Sequence, residues 1–260
     1  MKNKKGFTLA EVLITLSILG AVAAIMIPST MHKIQDTQQL AGFKRAYSML
    51  DNALQMMYVV EGLPSTWSDW PSTEEYDKTQ NYNYFAQKLA KYLAVKKYCG
   101  SEPGCFAYGT ERKYSNGSDK LFFNDLAGTN STLADFFAEE NRYGKMTLKN
   151  NMRVSLPNVR YANHPNTKSR CLGNIRVDIN GEKGPNRYGY DVFSFPFDEK
   201  GIQTKPGAYC GGNKNNSAFG NSDQLNSCNK NVASTASSCY LWILRHNNMD
   251  YKYRDVSAEW

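Results

Sequence analysis

From Phe7 to Met31 the chain is almost unbroken apolar sequence, and Glu11 is the one formally charged residue in it. Twenty-five helical residues reach about 37 Å, enough to cross a bilayer core of about 30 Å. The pattern then becomes amphipathic. Leu40, Phe43, Tyr47, Leu50, Leu54 and Met57 recur at steps of three and four, while Lys33, Asp36, Gln39, Lys44, Arg45 and Asp51 fill the other faces. This predicts one helix from Phe7 to about Glu61, bent or loosened near Pro28 and ended by Gly62 and Pro64. Its stripe suits either the seat of a sheet or a coiled-coil seam.

Residues 62–81 read as loop. Phe85, Leu89, Tyr92 and Leu93 predict a short helix from Tyr84 to Lys97, and residues 132–140 a second one. Beyond these the period changes from 3.6 to 2. "MTLKNNMRVSL", from Met146, alternates on both sides of Asn150-Asn151, which predicts a hairpin with a two-residue turn. "NIRVDI" and "GYDVFSFPF" form a second hairpin through "NGEKGPNRY", and a turn over Asp198–Gly201 leads into "IQTK". Residues 211–238, rich in Asn, Ser and Gly, read as an exposed loop, and "CYLWILRHNNMDY" as a short helix followed by an edge segment. The fold class is α+β, a long N-terminal helix and an antiparallel sheet with long loops.

Composition separates the two parts further. The chain has 260 residues, 21% charged, with a mean hydropathy of −0.57, so the bulk behind the apolar segment is a water-facing domain of about 200 residues. Net charge is +7. Lys2, Lys4 and Lys5 supply three of the positive charges, and without the first six residues 28 basic side chains face 24 acidic ones. That balance is too mild to argue for nucleic acid. The lysines place the N-terminus in the cytoplasm and the rest of the chain outside it. Cys99, Cys105, Cys171, Cys210, Cys228 and Cys239 all follow the apolar segment. No Cys-x-x-Cys occurs and His32, His164 and His246 lie near no cysteine in sequence, which favours disulfides over zinc. Cys99 and Cys105 flank a turn-rich loop and are the first pairing expected; Cys228 with Cys239 is the second.

A secretory signal would have a shorter apolar core ending in an Ala-x-Ala-like site. Ala21–Ala24 could be read that way, but the run continues through Ile25, Met26 and Ile27. Lys4-Lys5-Gly6-Phe7-Thr8-Leu9-Ala10-Glu11 instead resembles the processing site of type IV prepilins and type II secretion pseudopilins. The resemblance covers about the first fifth of the chain, and Pro28 and Gly20 also fit it. It implies cleavage between Gly6 and Phe7 by a membrane prepilin peptidase, then N-methylation of Phe7. It favours a sheet seat over a coiled-coil seam. It divides the chain into a leader (1–6), a transmembrane and filament-core helix (7–28), its amphipathic continuation (29–62) and an extracytoplasmic domain (63–260). The implied location is the inner membrane, single-pass, then a periplasmic or extracellular filament. The implied partners are other pilin subunits, an assembly platform and a cytoplasmic ATPase.

Glu11 then has two readings. A carboxylate at membrane depth costs a few kcal/mol unless paired. Cleavage creates an ammonium on Phe7 that could pair with Glu11 within one subunit or between neighbours. Alternatively, Glu11 caps an anchor helix at the positive end of its dipole.

The sequence offers little other chemistry. In "DINGEKGPNRYGYD", Asp178, Asn180, Glu182 and Asp191 supply hard oxygens suited to calcium, although the loop is not an EF-hand. Major pseudopilins often bind calcium in a loop of this domain, which adds to the reading by resemblance. Asp, Asn and Gly equally satisfy a plain turn. No Gly-x-Ser-x-Gly, P-loop or His-Glu-x-x-His occurs, so a structural role is expected rather than an enzyme. Basic and aromatic residues interleave at Arg112-Lys113-Tyr114 and Tyr251-Lys252-Tyr253-Arg254, where stacking on single-stranded DNA is the alternative to an ordinary solvated surface. The expected function is a filament subunit of a type II secretion pseudopilus or type IV pilus. The alternative is a pilus-associated adhesin or DNA-binding minor pilin, with its ligand in the loops at 101–104 or 211–227.

Overall fold

In the computed structural model the described residues are 6, 8–69, 78–102, 104–106, 109–113, 119–120, 144–159, 172–181, 183–184, 186–204, 228–230 and 238–259. The first helix, α1 (Leu9–Glu61), is one element of 53 residues, and its helical backbone continues through Pro28. Gly62, at φ +81°, and a 3₁₀ turn at Pro64–Thr66 end it as expected. The chain forms two compact units, Met1–Gln39 and Leu40–Trp260. The second unit takes in the second half of α1, from Leu40.

In the first unit the apolar side chains from Leu9 to Ile34 lie exposed. The hydroxyls of this stretch are met by its own backbone. Thr15 Oγ1 donates to Val12 O at 2.9 Å, Ser17 Oγ to Leu13 O at 2.8 Å and Thr30 Oγ1 to Met26 O at 2.9 Å. A helix that satisfies its own polar groups is what a hydrocarbon environment requires.

In the second unit a six-stranded sheet, fully antiparallel, runs in the order β1-β4-β5-β6-β7-β8. Its strands are β1 (Val95–Gly100), β4 (Gly144–Leu148), β5 (Arg153–Val159), β6 (Gly173–Asp178), β7 (Val192–Asp198) and β8 (Gly201–Ile202); β2 (Gly109–Lys113) and β3 (Asp119–Lys120) make a separate ribbon. Met146, Leu148, Val154, Leu156, Ile175, Val177, Phe193, Phe195 and Phe197 share one buried face. Onto it α1 lays Phe43, Ala46, Leu50, Leu54 and Met57, all fully buried, with the Phe43 ring 4.9 Å from Phe193 and 5.5 Å from Phe195. The stripe is therefore a sheet seat. Two shorter helices complete the core, α2 (Lys78–Ala90) through Phe85 on Phe197 at 5.0 Å, and α3 (Cys239–His246) through Tyr240 on Phe195 at 5.8 Å.

Three expectations change. The helix expected at Tyr84–Lys97 begins at Lys78 and ends at Ala90, because its polar first turns carry no apolar signal and Val95–Lys97 are drawn into β1 beside β4. The turn at Asn150-Asn151 is a three-residue connection, with Asn151 at φ +66° and Leu148 N donating to Met152 O. After α3, where an edge segment was expected, the chain makes 3₁₀ turns at Asp250–Lys252 and Ser257–Glu259. The polar face of the sheet is buried as well. Lys145, Arg153, Ser155, Asn174, Arg176, Asp178 and Ser194 are all buried. The 101–106 loop covers part of it, with Lys145 Nζ donating to Ser101 O at 3.0 Å, Thr147 Oγ1 to Cys105 O at 3.2 Å, and Arg153 lying over the Phe106 ring. Disulfides join Cys99 to Cys105 and Cys228 to Cys239, as the spacing led us to expect. Cys171, Cys210, the 132–140 helix and the 211–227 loop lie outside the described residues.

Candidate functional site

The first candidate site is the start of α1. Thr8 is its N-cap. Glu11 N donates to Thr8 Oγ1 at 3.3 Å, and in return Thr8 N and Thr8 Oγ1 donate to Glu11 Oε2 at 2.8 and 2.9 Å. This reciprocal pairing is a capping box, and Thr8-Leu9-Ala10-Glu11 carries its Thr-x-x-Glu signature. Reading Glu11 alone as a cap left Thr8, its partner, unnamed, although the signature was there to be read. The box uses only one carboxylate oxygen, and Glu11 Oε1 has no hydrogen-bond partner among the described residues.

Gly6 lies just before this cap, exposed, and a Cβ built on it would meet nothing within 4 Å. Among the described residues nothing requires glycine at this position. Gly20 is similar: inside α1 it costs roughly 1 kcal/mol relative to alanine, and its added Cβ would also meet open space. Phe7 lies outside the described residues.

The second candidate is the β6–β7 loop. Asp191, fully buried, accepts three N–H donors: Asn186 N at 2.8 Å, Arg187 N at 2.6 Å and Asn180 Nδ2 at 3.0 Å. Asp178, 1% exposed, spends Oδ1 on Asn180 N and Gly181 N, at 3.2 and 3.0 Å. Its Oδ2, and Oδ1 of Asn180, are buried without a hydrogen-bond partner among the described residues. Burial, then the Asp191 charge, push the Asp178 carboxyl up to about 7; burial also raises Asp191 against its N–H donors. The loop is docked on the C-terminal turn. Tyr251 OH donates to Gly189 O, and Arg187 and Lys252 lie over the Tyr190 ring at 4.3 and 4.5 Å.

These contacts also occupy the basic-aromatic stretch at 251–254. Tyr251 and Lys252 are buried, and Arg254 is ion-paired with Asp250 and Glu259, so only Tyr253 presents an exposed ring. The other such stretch, at 112–114, has no described side chains. No group of three or more His, Cys, Asp or Glu residues is arranged for a metal ion among the described residues.

No curated protein and no solved structure matches the chain at a significant level. Residues 1–27 match the family described as the prokaryotic N-terminal methylation motif, so the chain carries the prepilin-type signature of type IV pilins and pseudopilins.

Proposed function

We propose that this chain is a structural subunit of a type II secretion pseudopilus or a type IV pilus. It is made as a precursor and cleaved between Gly6 and Phe7 by a prepilin peptidase, and Phe7 is then N-methylated. Residues 7–28 hold it in the inner membrane with the N-terminus cytoplasmic, Pro28 loosens the helix where its missing N–H leaves one hydrogen bond unmade, and the domain behind lies outside the cytoplasm. Assembly packs N-terminal helices together, with energy from a cytoplasmic ATPase acting through a platform protein, because the sequence has no P-loop of its own.

The observation that carries this reading is Gly6. A glycine that its own fold does not need is explained by an outside reader that approaches the backbone closely. The Thr8–Glu11 cap fits the same account. It holds one carboxylate oxygen on the helix and leaves the other for an ammonium, its own or a neighbour's. Capping and pairing are thus compatible roles for Glu11. Replacing Gly6 with leucine leaves α1 untouched, and mass spectrometry should find only the uncleaved precursor. A Gly6→Leu chain that still begins at methylated Phe7 would overturn the proposal.

A calcium ion on Asp178 and Asn180 is a second, separate reading, supported by their two unpartnered buried oxygens. Asp191, with three N–H donors on its carboxylate, would shape the loop around the ion. Two open side-chain oxygens fall short of the six to eight that calcium takes, so carbonyls and water would have to complete the shell.

A further inference from the structure

The β6–β7 loop contains Asn180-Gly181, the kind of residue pair most prone to spontaneous deamidation, because glycine has no side chain to shield its amide nitrogen. In that reaction the Gly181 nitrogen loses its proton and attacks Asn180 Cγ. A bond forms between them, the Cγ–Nδ2 bond breaks, and Nδ2 takes up a proton and leaves as ammonia. Water then opens the cyclic imide to aspartate or isoaspartate. The fold cannot avoid the pair by changing the glycine. Gly181 has φ +71°, and a Cβ built on it would lie 2.6 Å from Asn151 O in the β4–β5 turn.

Each atom the reaction needs is held against it. The attacking nitrogen belongs to a buried residue, and its N–H donates to Asp178 Oδ1 at 3.0 Å. The leaving nitrogen, Asn180 Nδ2, donates to Gly184 O at 3.2 Å and to Asp191 Oδ2 at 3.0 Å, which fixes the plane of the amide. Attack would place negative charge on Asn180 Oδ1, yet this oxygen is buried and no donor among the described residues reaches it. The side chains bonded to Asn180 and Gly181 are the carboxyls of Asp178 and Asp191, so the loop is the reverse of an oxyanion hole. We infer that Asn180-Gly181 is a deamidation site locked by the closed loop, with Asp191 as the residue that holds the lock. Reaction then requires the loop to open. It runs one way, because the product sets an oxygen against the Asp191 carboxylate where Nδ2 had donated, and isoaspartate also adds a methylene to the backbone. A chain that deamidates while open cannot re-form these hydrogen bonds, so unfolding becomes irreversible at this residue.

The test follows deamidation by peptide mapping, as the mass gain of amide-to-acid conversion, in the full chain in detergent and chelator at mildly alkaline pH. In concentrated urea Asn180 should react as fast as Asn116, which belongs to the chain's other Asn-Gly pair. In the folded wild type Asn180 should react at least about tenfold more slowly than in urea, since only the open fraction reacts. Asp191→Ala removes the acceptor for Nδ2 and should bring the rate in the folded chain close to that in urea. Asp178→Asn keeps an acceptor for Gly181 N and should stay as slow as wild type. If the alanine variant does not fold, Asp191→Asn, which keeps one acceptor oxygen, takes its place with the same readout. Equal rates in folded and urea-unfolded wild type would overturn the inference. So would a folded Asp191 variant that reacts no faster than wild type, or an Asp178→Asn chain that reacts as fast as the Asp191 variant.

Discussion

Asp178 and Asp191 close the same loop with opposite hydrogen-bond balances. Asp191 is fully engaged by N–H donors, whereas Asp178 leaves one buried oxygen bare. A carboxyl raised to about 7 is protonated in the folded chain at pH 5 and ionised in the unfolded one. Folding then favours the proton-bound state. The stabilisation is complete below about pH 4 and is lost as pH rises towards 7, a change of roughly a few kcal/mol. Asp178→Asn keeps the acceptor for Asn180 N and Gly181 N and cannot ionise. In chelator, its melting temperature should therefore fall less than wild type's between pH 4 and 7.5. The same assay tests calcium: 2 mM calcium at pH 7.5 should raise the wild-type midpoint and leave Asp178→Asn unmoved. No calcium-dependent shift in wild type would remove the cation from the loop. None of this was legible in "DINGEKGPNRYGYD", which shows four oxygen-bearing residues but not which oxygens are already used.

Among the elements, the end of α1 meets the end of α2 and the turn behind it at Glu61. The Glu61 carboxylate accepts from Lys88 Nζ at 3.0 Å, Lys91 Nζ at 2.7 Å and Tyr92 OH at 3.2 Å, while Trp67 Nε1 donates to the Glu61 and Gly62 carbonyls at the helix end. Lys88 also lies over the Trp67 and Tyr84 rings, at 4.8 and 5.0 Å. Hydrogen bonds from Lys91 and Lys88 hold the Glu61 carboxyl down at about 2. A depressed carboxylate stabilises the fold above its ordinary value near 4.5 and loses that contribution as pH falls towards 2. Glu61→Gln should cost roughly 1 kcal/mol at pH 7, since Lys91 is largely exposed and its pair is screened. The gap between variant and wild type in a denaturant melt should close by pH 2; a gap unchanged with pH would disprove the charge-based latch. α1 was legible because two environments impose two clear patterns on it, an unbroken apolar run and then a strict stripe. The hairpins were legible by alternation. The start of α2 and strand β1 were not, because Lys78–Asn83 carry no apolar periodicity and Val95–Lys97 are placed by pairing with β4 rather than by their own pattern. The burial of Arg153 and Arg176 was invisible for the same reason: alternation assigns a face, and only the chain laid across it decides whether water reaches that face.

For the molecule as a whole, burial divides the chain near Gln39. Among the described residues every buried apolar one lies from Phe43 to Val256, and none before Leu40 is buried. The first unit contributes exposed apolar surface and, at its very start, the methylation signature. Removing Met1–Gln39 therefore takes away no core, while the retained turns of α1 still carry Phe43, Ala46, Leu50, Leu54 and Met57 onto the sheet. A cut at residue 62, by contrast, would strip the sheet of that whole helical layer and leave Phe193 and Phe195 without Phe43. The fragment 40–260, exported to an oxidising compartment so that both observed disulfides form, should be soluble without detergent. Its thermal transition should be single and cooperative, with a midpoint within a few degrees of the full chain's in detergent. The fragment 63–260 should show no such transition. If both fragments melted alike, α1 would contribute nothing to the domain core; if fragment 40–260 needed detergent to stay folded, the apolar N-terminal helix would be part of the domain rather than an appendage to it.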